Sequence, residues 1–207
     1  GKLIPAKAGA GESDLQARDI QFNNYTFLKK GEKTNNYRTL LWKTARGAHF
    51  ALIPNLNVND PVCKKLVRDA RFRRALSLAI DRDKLTSAVT GVGEAPAYGW
   101  VPPGVWNYTP QQFDYAGTPY AERLAEARRL YAQAGYSAAR PLQVELRYNS
   151  GDQHNRLAVA VAAMWKEALG VETTLYAEEF RALLQSIQAR KDTQVFRSSW
   201  VGDFNDA

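Results

Sequence analysis

"LQVELRYNSGDQHNRLAVAVAAMWKEALGVETTLYAEEFRALLQSIQARKDTQVFRSSW", residues 142–200, decides the fold. Two periods alternate along it. "LQVELRYN" and "VETTLYA" read as strands, with apolar and polar residues taking turns as they do when one face of a sheet is buried. Between them, "DQHNRLAVAVAAMWKEALG" brings Leu157, Val161, Met164 and Leu169 to one side at helical spacing. "EEFRALLQSIQA" predicts another helix and "TQVFRSSW" a third strand. Strands alternating with helices require crossover connections, so the class is α/β, with a largely parallel or mixed sheet flanked by helices. Ligands of open α/β sheets sit beyond the carboxyl ends of the strands. Two segments fall there, "YNSGDQH" and "WVGDFNDA".

Upstream, "TPYAERLAEARRLYAQAGY" predicts a helix with Thr118 as cap, Leu124, Ala127 and Tyr131 on its inner face, and Gly135 as its stop. Asp60 caps another, with Pro61 at the first position, and "DARFRRALSLAI" continues it; a further helix is expected from about Asp81 to Val89. "YRTLLW" and "HFALIPNLN" read as strands, and the first forty residues are otherwise polar and rich in turn formers. The long aromatic segment from Tyr98 to Tyr115 has no clear period. It either lines a cleft or covers an outer surface, and long irregular segments are often functional.

Composition narrows the function classes. The chain has 207 residues, enough for one sizeable core or two small ones. Its 28 Lys and Arg against 21 Asp and Glu permit nucleic-acid binding, but bases and acids are interleaved. The one dense cluster, Arg71, Arg73 and Arg74, reads as the solvated face of a helix buried through Phe72, Leu76 and Ala79. Cys63 is the single cysteine, which excludes an internal disulfide and multi-cysteine zinc sites; it reads as a small buried hydrophobe. His49 and His154 show no metal-ligand spacing, so no metal and no cofactor is expected. No apolar run approaches the ~20 residues that span a bilayer, and "GKLIPAKAGAGESD" lacks a secretory signal's apolar core.

Several segments together resemble one family. "GAGESDLQARDIQFNNYTFLK", "NNYRTLLWK", "DARFRRALSLAIDRDKLTSAVTGVGEAPAYGWVPPG", "AERLAEARRLYAQAGY", "LRYNSGDQHNRLAVAVAAMWKEALGVE" and "SSWVGDFNDA" occur here in an order similar to that in the extracytoplasmic solute-binding proteins of peptide transporters. The resemblance implies a periplasmic-binding-protein-like lobe of class II type, in a two-lobed protein that closes on an extended oligopeptide. It also implies delivery to the permease subunits of an ABC transporter, a periplasmic or membrane-anchored extracytoplasmic location, and a monomer that binds no nucleic acid and catalyses nothing. Residues 1–207 would then form a single partial domain, most of the second lobe, with the first lobe and the end of the second absent.

The same resemblance assigns roles to individual residues. A peptide ammonium is costly to bury unless a carboxylate meets it, and Asp203 stands at the family's ammonium-pairing position. Ser198, Ser199, Trp200 and Val201 match the stretch whose backbone lines the peptide as a neighbouring strand would. Trp200 and Phe180 are wall candidates for side-chain pockets; Phe180 stands where relatives often carry Trp, and core packing is its alternative. His154 and Arg197 match basic positions that serve the peptide carboxylate; the alternatives are a solvent-touching helix residue and a partner of a nearby acid. Other ligands remain open within the family, including dipeptides, cell-wall peptides, metal chelates, haem and sugars. Outside it, a hydrolase would need a nucleophile-elbow pattern that neither Ser198 nor Ser199 has.

Overall fold

The computed structural model describes residues 3–42, 48–91 and 93–201, with only the backbone described for 48–50. The chain divides into two compact units, Gly1–Ala45 and Arg46–Ala207. In the first, helix α1 (Leu3–Gly9) and helix α2 (Tyr25–Gly31) are joined through a single 3-10 turn at Phe22–Asn24. Gly9 lets the Phe27 ring approach, because a β-carbon there would lie 2.6 Å from the ring. Asn35 donates its side-chain amide to the Gly9 carbonyl at 2.8 Å, and the Tyr37 hydroxyl donates to the Leu28 carbonyl. "YRTLLW", expected as a strand, pairs with no described strand and runs as an irregular segment, with Leu40, Leu41 and Trp42 exposed. Apolar content alone does not make a strand, since the backbone needs a neighbour to bond.

The second unit carries the sheet. Its elements are β1 (Ala48–Pro54), α3 (Pro61–Arg68), α4 (Ala70–Leu78), α5 (Arg82–Lys84), α6 (Tyr120–Gln133), β2 (Gln143–Asn149), α7 (Asp152–Leu169), β3 (Glu172–Glu178), α8 (Phe180–Ala189) and β4 (Val195–Val201). The strand order is β1-β4-β2-β3. β2 runs parallel to β3 over seven residues and parallel to β4 over two, while β1 lies antiparallel to β4. The sheet is therefore mixed, and its carboxyl edge collects the ends of β2, β3 and β4.

Local chemistry accounts for most boundaries, including those that differ from the sequence expectation. Asp60 caps α3 by accepting from the Cys63 amide at 2.7 Å. That helix does not continue into α4, because Asp69 accepts from the Arg71 amide at 2.9 Å and caps a new one. The helix expected to Val89 is α5 followed by a π-helical turn, Leu85–Thr90, whose hydroxyls from Thr86, Ser87 and Thr90 bond back to preceding carbonyls. At α6 the cap position belongs to Pro119, without a side-chain bond, and not to Thr118. Gly170 closes α7 at φ 74°, and its amide donates to the Lys166 carbonyl.

Val144, Leu146 and Tyr148 of β2 point into one apolar core shared with α4, α6 and α7. Trp165 of α7 is buried there and donates its indole N–H to the Leu76 carbonyl of α4 at 3.0 Å. The opposite face of β2 carries Glu145 and Arg147 and is covered by α8, where Ser186 donates to Glu178 at 2.9 Å. Arg147 is joined to Glu145, Glu178 and Asp192 and stacks over Tyr176.

Phe72, Leu76 and Ala79 are buried as the spacing predicted, and the arginines beside them lie on the outer face, where each also has a protein partner. Arg71 pairs with Asp69 and bonds the Gln133 carbonyl, Arg73 bonds the Val67 carbonyl, and Arg74 bridges Asp114 and Glu126. Cations engaged in this way are poorly disposed to bind phosphates. The aromatic segment is tied to the helices by the same residues. Arg74 and Arg82 stack on Tyr115, Arg82 and Arg123 on Tyr98, and Arg123 on Tyr120. Cys63 is partly buried against the core, and burial pushes its thiol up, so it is a packing residue as expected.

Candidate functional site

The candidate site is built on β4. Its first residue, Val195, is buried, and exposure rises along the strand until Trp200 is 61 % exposed. Along one edge β4 is paired with β1 from Val195↔Pro54 to Val201↔Ala48. Along the other it meets β2 only at Leu146↔Val195 and Arg147↔Phe196. Before that pair, the Gln194 side chain accepts from the Glu145 amide at 2.9 Å in place of a ladder bond. After it, no described strand pairs with this edge of β4. Successive residues of a strand turn their amide and carbonyl groups to opposite sides. Part of the main chain of Ser198–Val201 is thus aimed at an edge that an extended segment could occupy.

Two basic side chains stand at this opening. Arg197 of β4 reaches across to β2 and donates from Nη1 to Asn149 Oδ1 at 2.8 Å. Burial lowers its pKa to about 10, which still leaves it charged at neutral pH. His154 lies in the first turn of α7, directly after the β2 end, and its ring sits 3.2 Å from where a Gly151 β-carbon would be. Burial lowers the His154 pKa below its ordinary value of 6.5, and the Arg197 charge lowers it further. The Arg197 charge and the His154 imidazole therefore sense one another, and His154 holds a proton less readily than an ordinary imidazole.

Phe180 opens α8 after the end of β3. It is 56 % exposed, so the alternative of core packing does not hold. Glu179 fixes this corner, accepting from the Arg181 and Ala182 amides at 2.8 and 3.4 Å. Because β2 lies between β3 and β4, Phe180 and Trp200 follow from strands that are not neighbours in the sheet. The structure thus gathers Arg197, Ser198, Ser199, Trp200, Val201 and His154 around one opening, with Phe180 further along the edge. Asp203 lies outside the described residues. Asn149 was not singled out from sequence, although the "YNSGDQH" segment that holds it was; its only signal there was its position as the last residue before a strand-to-helix turn.

With this geometry, comparison with known proteins decides the family. The family model described as bacterial extracellular solute-binding proteins, family 5 Middle, matches residues 6–207. This chain belongs to family 5 of the bacterial extracellular solute-binding proteins. The periplasmic murein peptide-binding protein MppA of Escherichia coli strain K12 is 38% identical over 138 residues, which are 67% of this chain and 26% of that protein. The probable deoxycholate-binding periplasmic protein YgiS of the same strain is 38% identical over 159 residues, covering 75% and 29%. The solved complex of Haemophilus influenzae OppA with RPPGFSPFR aligns at a TM-score of 0.79 and 27% identity, over 99% of this chain and 38% of that one. The family 5 chain described here spans about a quarter of the length of those curated relatives. Its mixed sheet flanked by helices has the fold of a periplasmic-binding-protein domain, as the sequence led us to expect.

Proposed function

We propose that this chain is most of the second lobe of a two-lobed protein that binds peptides and passes them to the permease subunits of an ABC transporter. The observation that carries the reading is the second edge of β4 beyond Phe196, which no described strand pairs with. An extended peptide laid there would use its own backbone as the missing strand, an arrangement indifferent to side-chain identity. Asp203 would meet the peptide ammonium, and Arg197, with His154 beside it, the carboxylate. Trp200 and Phe180 would wall the side-chain pockets. The names of similar proteins support the class, since MppA is a murein peptide-binding protein and OppA was solved with a nonapeptide sequence.

Under this proposal the protein is a monomeric carrier in the periplasm, or anchored to a membrane outside the cytoplasm, with no catalytic role. Closing the second lobe onto the first would exclude water and strengthen both ion pairs. The isolated chain should therefore bind peptides far more weakly than the two-lobed protein. The deciding experiment is calorimetric titration of the full-length protein with a tripeptide-to-pentapeptide pool and the same pool N-acetylated. Tight binding that acetylation abolishes supports the peptide reading and the part of Asp203. Equal binding of both pools, or of neither, moves the ligand to another class, and a bile acid such as the one in YgiS's name is the next to titrate.

A further inference from the structure

We propose that Arg147 is a positioning residue that sets the place of α8, and through it the presentation of Phe180, without touching the ligand itself. The ligand side of this inference rests on the peptide-binding reading above; the placing of α8 does not.

The apolar hold of α8 on the sheet is slight. Leu183 is its one buried side chain, whereas α7 buries six. Phe180 and Leu184, four residues apart on one side of the helix, are both exposed. An element with so few buried apolar contacts depends on polar ties to stay in place.

Those ties converge on Arg147 of β2. Its Nη1 meets Glu178 Oε1 at 3.3 Å, two residues before α8 begins, and its Nη2 meets Asp192 Oδ1 at 3.5 Å, three residues after α8 ends. Its Nε is joined to Glu145 on the same strand, and the guanidinium lies 5.1 Å from the centroid of the Tyr176 ring. Glu178 Oε1 also accepts from Ser186 Oγ, within α8, at 2.9 Å, and Thr193 Oγ1 donates to the Ser186 carbonyl at 3.3 Å. One cation thus brackets both ends of the helix, and its middle is tied to the same carboxylate.

Arginine suits this task in a way that lysine does not. A guanidinium directs donors along three fixed directions of one plane, and here each nitrogen has its own carboxylate. An ammonium at the same point would keep the charge but could not span three acids. The side chains of Arg147, Glu145 and Glu178 are mostly withdrawn from solvent, so salt screens these pairs little; the pair with the exposed Asp192 is the weaker one. Phe180 is the first residue of α8 and follows Glu178 by two, so any shift of the helix carries its ring along the sheet edge.

The test uses the full-length two-lobed protein as wild type, Arg147→Lys, Ser186→Ala, Phe180→Ala and the double variant of Arg147→Lys with Phe180→Ala. Hydrogen exchange reads the helix directly. In Arg147→Lys the amides of α8 should exchange about fivefold faster or more, with those of α7 within about twofold of wild type, and Ser186→Ala should show a smaller rise in the same place. Wild-type exchange of α8 in Arg147→Lys overturns the positioning role, as does a rise shared equally by α7. If Arg147→Lys does not fold, Ser186→Ala carries this arm under the same two outcomes. Titration reads the ligand side, with tetra-alanine and the four tetrapeptides that carry one phenylalanine among alanines. Phe180→Ala should reduce the preference for phenylalanine at one position, and Arg147→Lys should reduce that same preference about threefold or more. The double variant should lose no more than Phe180→Ala alone. An equal loss for all five peptides, a further loss in the double variant, or no loss in Phe180→Ala overturns the action through Phe180. A wild type that binds none of the peptides overturns instead the peptide reading, and the exchange result still decides whether Arg147 places α8.

Discussion

His154 and Arg197 are close enough for the charge of one to disfavour the charge of the other, and this makes the imidazole a reporter of the opening. Its pKa is lowered first by burial and then by Arg197, so the unfolded chain binds the proton more readily than the folded one. Stability should therefore fall as pH drops through the ordinary value of 6.5 toward the lower folded value, and be insensitive to this group above it. Thermal melts between pH 5 and 8 would reveal the slope, and His154→Asn should flatten it; an unchanged slope would mean that the imidazole is not held neutral. A ligand carboxylate would oppose the effect by favouring the imidazolium. At Asp203 the expectation concerns charge alone. Asp203→Asn should shrink the preference for free-amine over acetylated peptides about tenfold or more, because a buried ammonium would lose its counter-charge. Equal preference in the variant and wild type, measured by titration, would remove Asp203 from the site.

Elements were legible where a period ran long enough to leave one solution. The sequence from Leu142 to Trp200 announced β2, α7, β3, α8 and β4, and each formed, apart from shifts of a residue or two at the ends; Val161, Met164 and Leu169 of α7 are buried as expected and Leu157 packs partly buried beside them. The misses lie where a short polar contact overrides a period. Asp69 looks like one more polar residue in a helical run, but its carboxylate caps the Arg71 amide and divides the run in two. "YRTLLW" has strand composition without a described partner, and partners are not written in a local window. The splay between β4 and β2 was equally hidden, because register depends on contacts across distant segments. Gly170 gives the sharpest check at this scale. Its φ is 74° and a β-carbon would meet no atom within 4 Å, so Gly170→Ala adds backbone strain with no clash. It should cost about 1 kcal/mol in a urea melt. An unaltered midpoint would show that the α7 terminus relaxes at no cost.

Across the second unit, the helical layer and the sheet are joined through one core, and Trp165 is its largest fully buried side chain. Trp165→Phe keeps the apolar contact but leaves the Leu76 carbonyl without its donor and opens space beside it. A loss of about 2–3 kcal/mol in chemical denaturation is expected; a loss below about 0.5 kcal/mol would mean that the layer is held elsewhere. The architecture of this unit could be foreseen because its crossovers follow from alternation, and the family because many segments match in order. What could not be foreseen is which polar groups would meet, such as Arg197 with Asn149, since each lies in a segment that looks ordinary alone. The contrast between Trp165, buried, and Trp200, exposed near the end of β4, has an optical consequence. Indole emission shifts to shorter wavelength when water leaves the ring. A peptide settling along β4 should therefore blue-shift the Trp200 share of the fluorescence and leave the Trp165 share in place, so that the protein would signal its cargo without a dye.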